Sequence, residues 1–367
     1  METNTNIEHL FKPYTLGNLE LSNRIVMAPM TRSRALQNIP NELMAEYYAQ
    51  RATAGLIITE GTSPSPDGLG YARIPGIFSQ DQVKGWKKIT AAVQPKGGKI
   101  FLQLMHTGRV SHPHNLPQNA RLVAPSSVKP ETTKMWVDGE GLKDIPTPEE
   151  LSTEGVQQVI REFILAAQHA MTAGFDGIEL HGGNGYLIKQ FINPHTNRRT
   201  DQYGGSIENR SRFLLEMTEG IAKTIGREKI GVRISPFGQF NETPSYAEAH
   251  ETYLHIGTKL NELGISYLHI TDPLTKGEPN ALAQELRKVF KNTIILSGGY
   301  TVSTAEAALK SNYADLISFA RPFISNPDLV NRFKNKFPLN QPRIDLFYTA
   351  GSQGYVDYPL YDEVRVS

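Results

Sequence analysis

Eight short, mostly apolar runs recur along the chain of 367 residues, and most of them are separated by segments with a helical pattern. Apolar runs without polar alternation are typical of parallel strands that are buried on both faces. Eight strand–helix units predict a closed parallel barrel, a single (β/α)8 TIM-barrel domain over residues 1–367. The runs cover residues 24–30, 56–61, 99–106, 177–181, 230–235, 267–272, 293–298 and 316–321.

The connections between the runs support the barrel. Helical patterns cover residues 162–173, 208–224, 253–262 and 304–309. Gly55, Gly174 and Gly264 each precede a strand, where a glycine often ends the preceding helix. An open, doubly wound sheet is the alternative architecture, but no Gly-x-Gly-x-x-Gly fingerprint follows a strand here.

Two segments fall outside the repeating pattern. Residues 14–21 alternate around Gly17 and Asn18, which predicts a hairpin that closes the barrel floor. Residues 107–148 leave the third strand at its carboxyl end and are rich in proline, serine and asparagine. An insertion of this length on the active face predicts a lid or cover, and a surface excursion with its own hairpin is the alternative.

Composition excludes several classes of function. The 38 Lys and Arg residues balance the 37 Asp and Glu residues, so no net field draws the chain to nucleic acid or a membrane. No apolar run is long enough to span a bilayer, and the first residues lack a signal-peptide pattern. The absence of cysteine excludes disulfides and thiolate chemistry. A cytoplasmic protein is expected, as a monomer or homodimer.

Polar side chains gather after the fourth strand. His181, Asn184 and Tyr186 lie within six residues, and the glycines among them permit a tight turn. Ligands and catalytic groups of parallel α/β folds lie at the carboxyl ends of strands. The sequence therefore predicts that these three side chains jointly hold a ligand; the simpler interpretation of a lone histidine here is structural.

The last two strands end in groups that suit a phosphate. Ser297, Gly298 and Gly299 follow strand seven, and Ala320 and Arg321 follow strand eight, where many barrels bind phosphate. Backbone N–H groups and a guanidinium match phosphate oxygens, although a plain turn and a rim ion pair are the structural alternative.

Further polar groups at strand ends indicate a long planar cofactor across the barrel mouth. Arg233, Gln103 and Thr31 suit flavin mononucleotide, FMN, because a cation and a hydroxyl near the ring tune its redox chemistry. Pyridoxal phosphate would need a lysine at a strand end, and Lys99 starts its strand instead.

Together these motifs resemble the Old Yellow Enzyme family of FMN-dependent ene-reductases over nearly the full length. Threonine at position 31, where one branch of the family has cysteine, places the chain with the threonine branch. Met105 departs from the tryptophan of many relatives, which predicts a softer pocket. The matching segments are residues 23–32, 103–109, 181–187, 197–206, 298–301 and 319–322.

The resemblance implies nicotinamide-driven reduction of activated alkenes, namely α,β-unsaturated carbonyl compounds, maleimides and nitroalkenes. His181 and Asn184 resemble the pair that holds the substrate oxygen, and Tyr186 resembles the proton donor. NADPH or NADH would reduce the flavin from the same pocket. The implied flavin contacts are Pro29, Met30, Thr31, Gly61, Gln103, Arg233 and Arg321, with backbone at Gly298, Gly299 and Ala320 on the phosphate; Tyr71, Met105 and Tyr348 would line the substrate pocket.

Other functions remain as alternatives. A reductase acting mainly on nitro compounds or nitrate esters would use the same parts. A metal-dependent barrel hydrolase could use His106, His112, His114 and His181, but the first strand lacks closely spaced histidines, so no metal is expected. A carboxylate-pair glycosidase and a non-catalytic flavin or phosphate binder are the remaining alternatives.

Overall fold

The computed structural model describes residues 7–271, 277 and 280–361. Eight parallel strands close into a barrel in sequence order, so the last strand pairs with the first, and the predicted (β/α)8 barrel is confirmed rather than the open sheet. The barrel strands are β3 (Ile25–Met27), β4 (Leu56–Ile58), β5 (Ile100–Leu104), β10 (Gly177–Gly182), β11 (Ile230–Ile234), β12 (Tyr267–Thr271), β13 (Thr293–Ser297) and β14 (Leu316–Phe319).

The helices pack around the barrel, and each predicted helical segment is present with longer bounds. The segment predicted over 162–173 begins at Thr153, because the Ser152 side chain accepts a hydrogen bond from Gly155 N–H and caps the first turn. Within the described residues, no helix has the length and apolar character needed to cross a membrane. The helices are α1 (Glu42–Gln50), α2 (Gln80–Val93), α3 (Thr153–Thr172), α4 (Leu187–Ile192), α5 (Ile207–Ile225), α6 (Ala249–Leu263), α7 (Ala281–Val289), α8 (Val302–Lys310), α9 (Arg321–Ser325) and α10 (Leu329–Asn335).

The prediction that a glycine ends the helix before a strand is confirmed at two of the three positions. Gly174 and Gly264 have φ of +88° and +71°, the left-handed conformation that ends a helix. The prediction for Gly55 is wrong, since α1 already ends at Gln50. Gly55 is instead required by close packing, because a Cβ there would lie 2.1 Å from the carbonyl oxygen of Asn23.

The amino-terminal hairpin closes one end of the barrel. Strands β1 (Tyr14–Leu16) and β2 (Leu19–Leu21) pair antiparallel, as predicted. Leu16 and Leu21 pack against side chains of the barrel strands, including Val26, Phe101 and Tyr267. This apolar layer fills the amino-terminal end of the barrel and leaves the carboxyl ends of the strands for a site.

The insertion after the third barrel strand carries its own short strands. Strands β7 (Lys134–Val137) and β8 (Gly141–Asp144) form an antiparallel hairpin. Strands β6 (Val123–Ala124) and β9 (Glu149–Glu150) pair in parallel at its base. Met135 and Ile145 of the insertion pack in one apolar cluster with Met105 and Tyr186, which ties the insertion to the strand ends.

Candidate active site

A cavity of about 800 Å³ opens at the carboxyl ends of the barrel strands. Its floor comes from the strand ends, and its outer wall comes from the insertion hairpin and a carboxyl-terminal segment around residue 348. Its size and mixed apolar and polar lining are those of a cofactor or substrate site. The predicted site residues that line it are Pro29, Thr31, Gly61, Tyr71, Gln103, Met105, His181, Asn184, Tyr186, Arg233 and Tyr348.

His181 lies at the end of β10 and is a neutral hydrogen-bond donor. Its side chain is only 4% exposed, and burial lowers its pKa well below the usual value, with the charge of Arg233 acting in the same direction. Nδ1 accepts a hydrogen bond from Gly183 N–H at 3.4 Å, so the proton of the neutral ring is on Nε2. The imidazole therefore offers an N–H group to a ligand in the cavity.

Asn184 is held in an unusual backbone conformation by the neighbouring loop. Its φ of +55° lies in the left-handed region, which asparagine tolerates better than most residues. Its backbone N–H donates to Ser235 Oγ at 2.8 Å, and its carbonyl accepts from Asn241 Nδ2 at 2.9 Å. With both backbone groups fixed, the side-chain amide has a defined place in the cavity lining.

Tyr186 directly precedes α4 as its N-cap residue and has its ring beside His181, with centroids 5.1 Å apart. Its hydroxyl donates to the Tyr71 hydroxyl at 3.0 Å. Burial raises the pKa of Tyr186 well above its ordinary value, and hydrogen bonding to Asn241 opposes that rise. At neutral pH the phenol therefore carries its proton, as a proton donor must.

Arg233 stands over a buried polar network inside the barrel. Its Nε donates to Thr271 Oγ1 at 3.0 Å. Below it, Gln103 Nε2 and His269 Nδ1 both contact the fully buried carboxylate of Glu179, each at 2.8 Å. Burial lowers the pKa of Arg233, and the Glu179 charge opposes this, so the cation at the cavity has a counter-charge beneath it.

The groups named as flavin contacts leave room for a flat ring. A Cβ at Gly61 would lie 2.5 Å from Met105 Sδ, so any side chain there would displace Met105. Gln103 donates its amide N–H to Glu179 and thus keeps its carbonyl oxygen available. Pro29, Thr31 and Arg233 complete this part of the lining. A cation, a hydroxyl and an amide oxygen around an apolar surface match the edges of an isoalloxazine ring.

The predicted phosphate residues lie next to the cavity rather than in its lining. Gly298 and Gly299 have φ of +143° and +74°, and Gly298 accepts from Gly277 N–H. Strand β14 pairs with β3, and β13 pairs with β14, so the turns after β13 and β14 lie on the side of the barrel mouth where β3 leads to Thr31. Met30 packs instead against Ile324, Phe347 and Tyr358. The six predicted residues outside the lining are Met30, Ser297, Gly298, Gly299, Ala320 and Arg321.

Arg73, which the sequence did not single out, joins three parts of the outer wall. Its Nε donates to Ser33 O at 2.9 Å and its Nη2 to Tyr348 O at 2.8 Å. Its Nη1 forms an ion pair with Asp138, whose other oxygen accepts from Trp136 Nε1 at 3.1 Å. One guanidinium thus connects the first strand's loop, the carboxyl-terminal segment and the hairpin tip.

Arg32 and Arg34 hold the carboxyl-terminal segment in place. Arg34 donates to the carbonyl oxygens of Leu346 and Phe347 at 2.9 and 2.7 Å, and Arg32 donates to that of Gly354 at 2.7 Å. Both side chains are nearly fully buried, and burial lowers the pKa of Arg34 to about 10. These bonds bring the segment containing Tyr348 to the cavity, which no local motif could have predicted.

The histidines that a metal-dependent hydrolase would use do not converge on one point. His114 Nδ1 contacts Glu140 at 2.7 Å, and His112 Nδ1 accepts from His114 N–H at 3.2 Å. His106 Nδ1 accepts from Gly108 N–H at 3.0 Å, away from His181 in the cavity. Over the described residues, no group of three His, Cys, Asp or Glu side chains is placed to hold a metal ion.

The barrel and its mouth define a class, the flavin-dependent oxidoreductases that bind their ring at the strand ends. Comparison with known proteins identifies the family. The chain belongs to the NADH:flavin oxidoreductase / NADH oxidase family, whose model matches residues 9–340, and this confirms the resemblance seen in the sequence.

Individual relatives cover nearly the whole chain. The chain is 40% identical over 380 residues to 12-oxophytodienoate reductase 7 of Oryza sativa subsp. japonica, covering 97% of this chain and 95% of that protein. It is 38% identical over 358 residues to a protein of Leishmania infantum named a probable flavin mononucleotide-dependent alkene reductase, covering 96% and 98%. The solved structure of morphinone reductase in complex with tetrahydroNAD matches with a TM-score of 0.93 at 42% identity, covering 97% and 99%.

Proposed function

We propose that the protein is an FMN-dependent ene-reductase that reduces activated alkenes with NADPH or NADH as the electron source. The observation that carries the proposal is the convergence of His181, Asn184 and Tyr186 on one cavity. Two of these groups donate hydrogen bonds without giving up a proton, and the third is a neutral phenol. This division of roles suits an acceptor that gains negative charge on oxygen and a proton on carbon.

Residues of the chain would hold the cofactor in an orientation set by the strand ends. Thr31, Gly61, Gln103 and Arg233 would contact the ring, and the turns after β13 and β14 would take the phosphate. When bound, the flavin supplies the hydride, from N5, that the electrophilic carbon of the acceptor receives. Arg233 would favour the additional negative charge of the reduced ring.

His181 and Asn184 would bind the carbonyl or nitro oxygen of the acceptor. Hydrogen bonds to this oxygen strengthen as it gains charge, and each such donor contributes about 2.7–4 kcal/mol to related reactions. Tyr186 would then transfer its hydroxyl proton to the neighbouring carbon, which completes the saturated product.

The insertion, residues 107–148, is proposed to cover the cavity as a lid. Met135, Trp136 and Leu142 line the cavity, and Trp136 and Leu142 are 52% and 64% exposed, so a bound ligand could bury more of them. At the base, Glu242 accepts hydrogen bonds from the backbone N–H groups of residues 131–133, which would serve as the fixed end.

Further parts of the proposal concern the whole molecule. The main apolar cluster extends from Leu10 to Tyr355, which supports one domain. Electrophilic alkenes and nitro compounds are the proposed acceptors, a cytoplasmic location is proposed, and a monomer or homodimer is expected.

Stopped-flow kinetics of the Tyr186→Phe variant test the proposal. Purified protein should be yellow, and denaturation should release the flavin absorbance. The variant should reduce enones, maleimides and nitroalkenes at least about a hundredfold more slowly, as expected for loss of a general acid. Flavin reduction by nicotinamide should remain nearly unchanged.

The exposed Tyr313 provides a matched control, since Tyr313→Phe makes the same chemical change away from the cavity. An equal fall of both half-reactions in Tyr186→Phe would show that this residue is not the proton donor. A colourless protein that FMN cannot reconstitute would exclude the whole mechanism.

A further inference from the structure

A buried lysine lies three residues after Tyr186 and contacts the loop that supports Asn184. Lys189 belongs to α4, the helix that follows Tyr186, and is only 1% exposed. Its Nζ donates to Ser235 O at 2.7 Å, to Ser235 Oγ at 3.2 Å and to Gly238 O. A protonated lysine has three N–H donors, and these contacts use all of them.

Ser235 connects this lysine to Asn184. The Ser235 Oγ that accepts from Lys189 also accepts from Asn184 N–H at 2.8 Å. The loop that begins at Ser235 includes Asn241, which binds the Asn184 carbonyl. The left-handed conformation of Asn184 therefore depends on a loop whose first residues are fixed by the ammonium group.

The charge of Lys189 has no carboxylate partner among the residues that the structure describes. Burial lowers its pKa to about 8, so most of the protein carries the charge at pH 7. A buried cation held only by a hydroxyl and carbonyl oxygens is costly, and an apolar side chain would fill the space at lower cost.

We propose that Lys189 is a positioning residue of the acceptor site, which fixes the conformation of Asn184 through Ser235. The inference rests on the proposed function, in which His181 and Asn184 bind the acceptor oxygen.

The test measures the binding of 4-chlorophenol to the FMN-loaded protein by its charge-transfer absorbance, since a phenolate oxygen imitates the charged acceptor oxygen. Lys189→Met should weaken binding about tenfold, within the range for residues that share a hydrogen-bond network. Lys223→Met is the matched control, because Lys223 is an exposed lysine paired with Glu219. The affinity of this variant for 4-chlorophenol should equal that of the unmodified protein.

A double-mutant cycle with Asn184→Ala identifies the route. If Lys189 acts through Asn184, then Lys189→Met should change the affinity less than about twofold once Asn184 is alanine. The inference would be overturned if Lys189→Met still weakened 4-chlorophenol binding about tenfold in the Asn184→Ala background. It would also be overturned if Lys189→Met alone left the binding unchanged. Unchanged binding in Asn184→Ala alone would instead refute the proposed function.

Two further variants cover the case in which Lys189→Met does not fold or retain FMN. Ser235→Ala removes the shared acceptor and should reproduce the loss of affinity. Lys189→Gln keeps N–H donors without the charge and should restore part of it. Equal affinity of Ser235→Ala and the unmodified protein would contradict the proposed connection.

Discussion

Gly185→Ala offers a sharp perturbation of the acceptor site. Gly185 has φ of +76°, and a Cβ there would lie 2.5 Å from Phe240 O and 2.8 Å from Asn241 Cβ. The first contact is with backbone, so no side-chain rotation relieves it, and the loop carrying Asn241 must move. Because Asn241 binds the Asn184 carbonyl, the shift reaches the amide of the proposed donor pair.

Two energetic costs determine how much unfolding free energy Gly185→Ala should lose. A left-handed conformation costs an alanine about 1–2 kcal/mol. The overlap with the loop adds about 1–3 kcal/mol, the usual cost of overpacking a close-packed site. Gly97 separates the two terms, because it has φ of +83° and nothing lies within 4 Å of a Cβ there. Gly97→Ala should therefore lose about 1–2 kcal/mol of unfolding free energy, and Gly185→Ala about 2–5 kcal/mol.

Denaturant unfolding of the FMN-loaded proteins, with FMN held at one concentration, measures the predicted losses of unfolding free energy. Titration with 4-chlorophenol measures the effect on the acceptor site: Gly185→Ala should weaken phenol binding on the order of tenfold, about 1.4 kcal/mol, and Gly97→Ala should leave it unchanged. Equal destabilisation by the two substitutions, or normal phenol binding by Gly185→Ala, would refute the claim that this loop positions Asn184.

Two other predictions concern pH and the lid. Burial lowers the pKa of His106 to about 3 in the folded protein. In the unfolded protein this pKa is about 6.5, so below that pH the unfolded state binds a proton that the folded state does not. The free energy of unfolding should therefore fall as the pH is lowered below about 6.5, by about 2 kcal/mol at pH 5. His106→Asn keeps an acceptor for Gly108 N–H but has no titrating group. Between pH 7 and pH 5 this variant should lose less unfolding free energy than the unmodified protein, and an equal loss in both would contradict the prediction. Asp138→Asn weakens the ion pair with Arg73 and should speed amide exchange in residues 134–144 while changing global stability by less than about 1 kcal/mol; unchanged exchange would argue against an opening hairpin tip.

The sequence could predict the barrel because each strand is specified by local pattern. All eight apolar runs coincide with a barrel strand; seven strands end earlier than their runs, and β10 extends one residue beyond its run. The cluster of His181, Asn184 and Tyr186 was predictable for the same reason, since one strand end and the following turn place all three. The role of Gly55 was misjudged, because its close approach to Asn23 is a contact between segments far apart in sequence.

The resemblance indicated Tyr348 as a pocket residue, but the contacts that hold the outer wall together were not predictable, because they join residues far apart in the sequence. Arg73 contacts Tyr348 across 275 positions of sequence, and Arg34 contacts Phe347 across 313. An isolated arginine in a loop has no periodic pattern or spacing that identifies its partner. The support of Asn184 by Lys189 and Ser235 was hidden likewise, since Lys189 lies in a short apolar helix where its side chain had no evident function.

The charges around the cavity explain why the donors and the acid are different residues. Burial lowers the pKa of His181, and the cations Arg233 and Lys189 act in the same direction, so the imidazole stays neutral and is a poor source of protons. Its N–H can therefore stabilise an anionic oxygen without being consumed. Burial raises the pKa of Tyr186, so its phenol holds a proton at neutral pH. Oxygen binding and proton delivery are thus assigned to groups whose environments push their proton affinities in opposite directions, the arrangement that acid–base sites generally use to separate two roles.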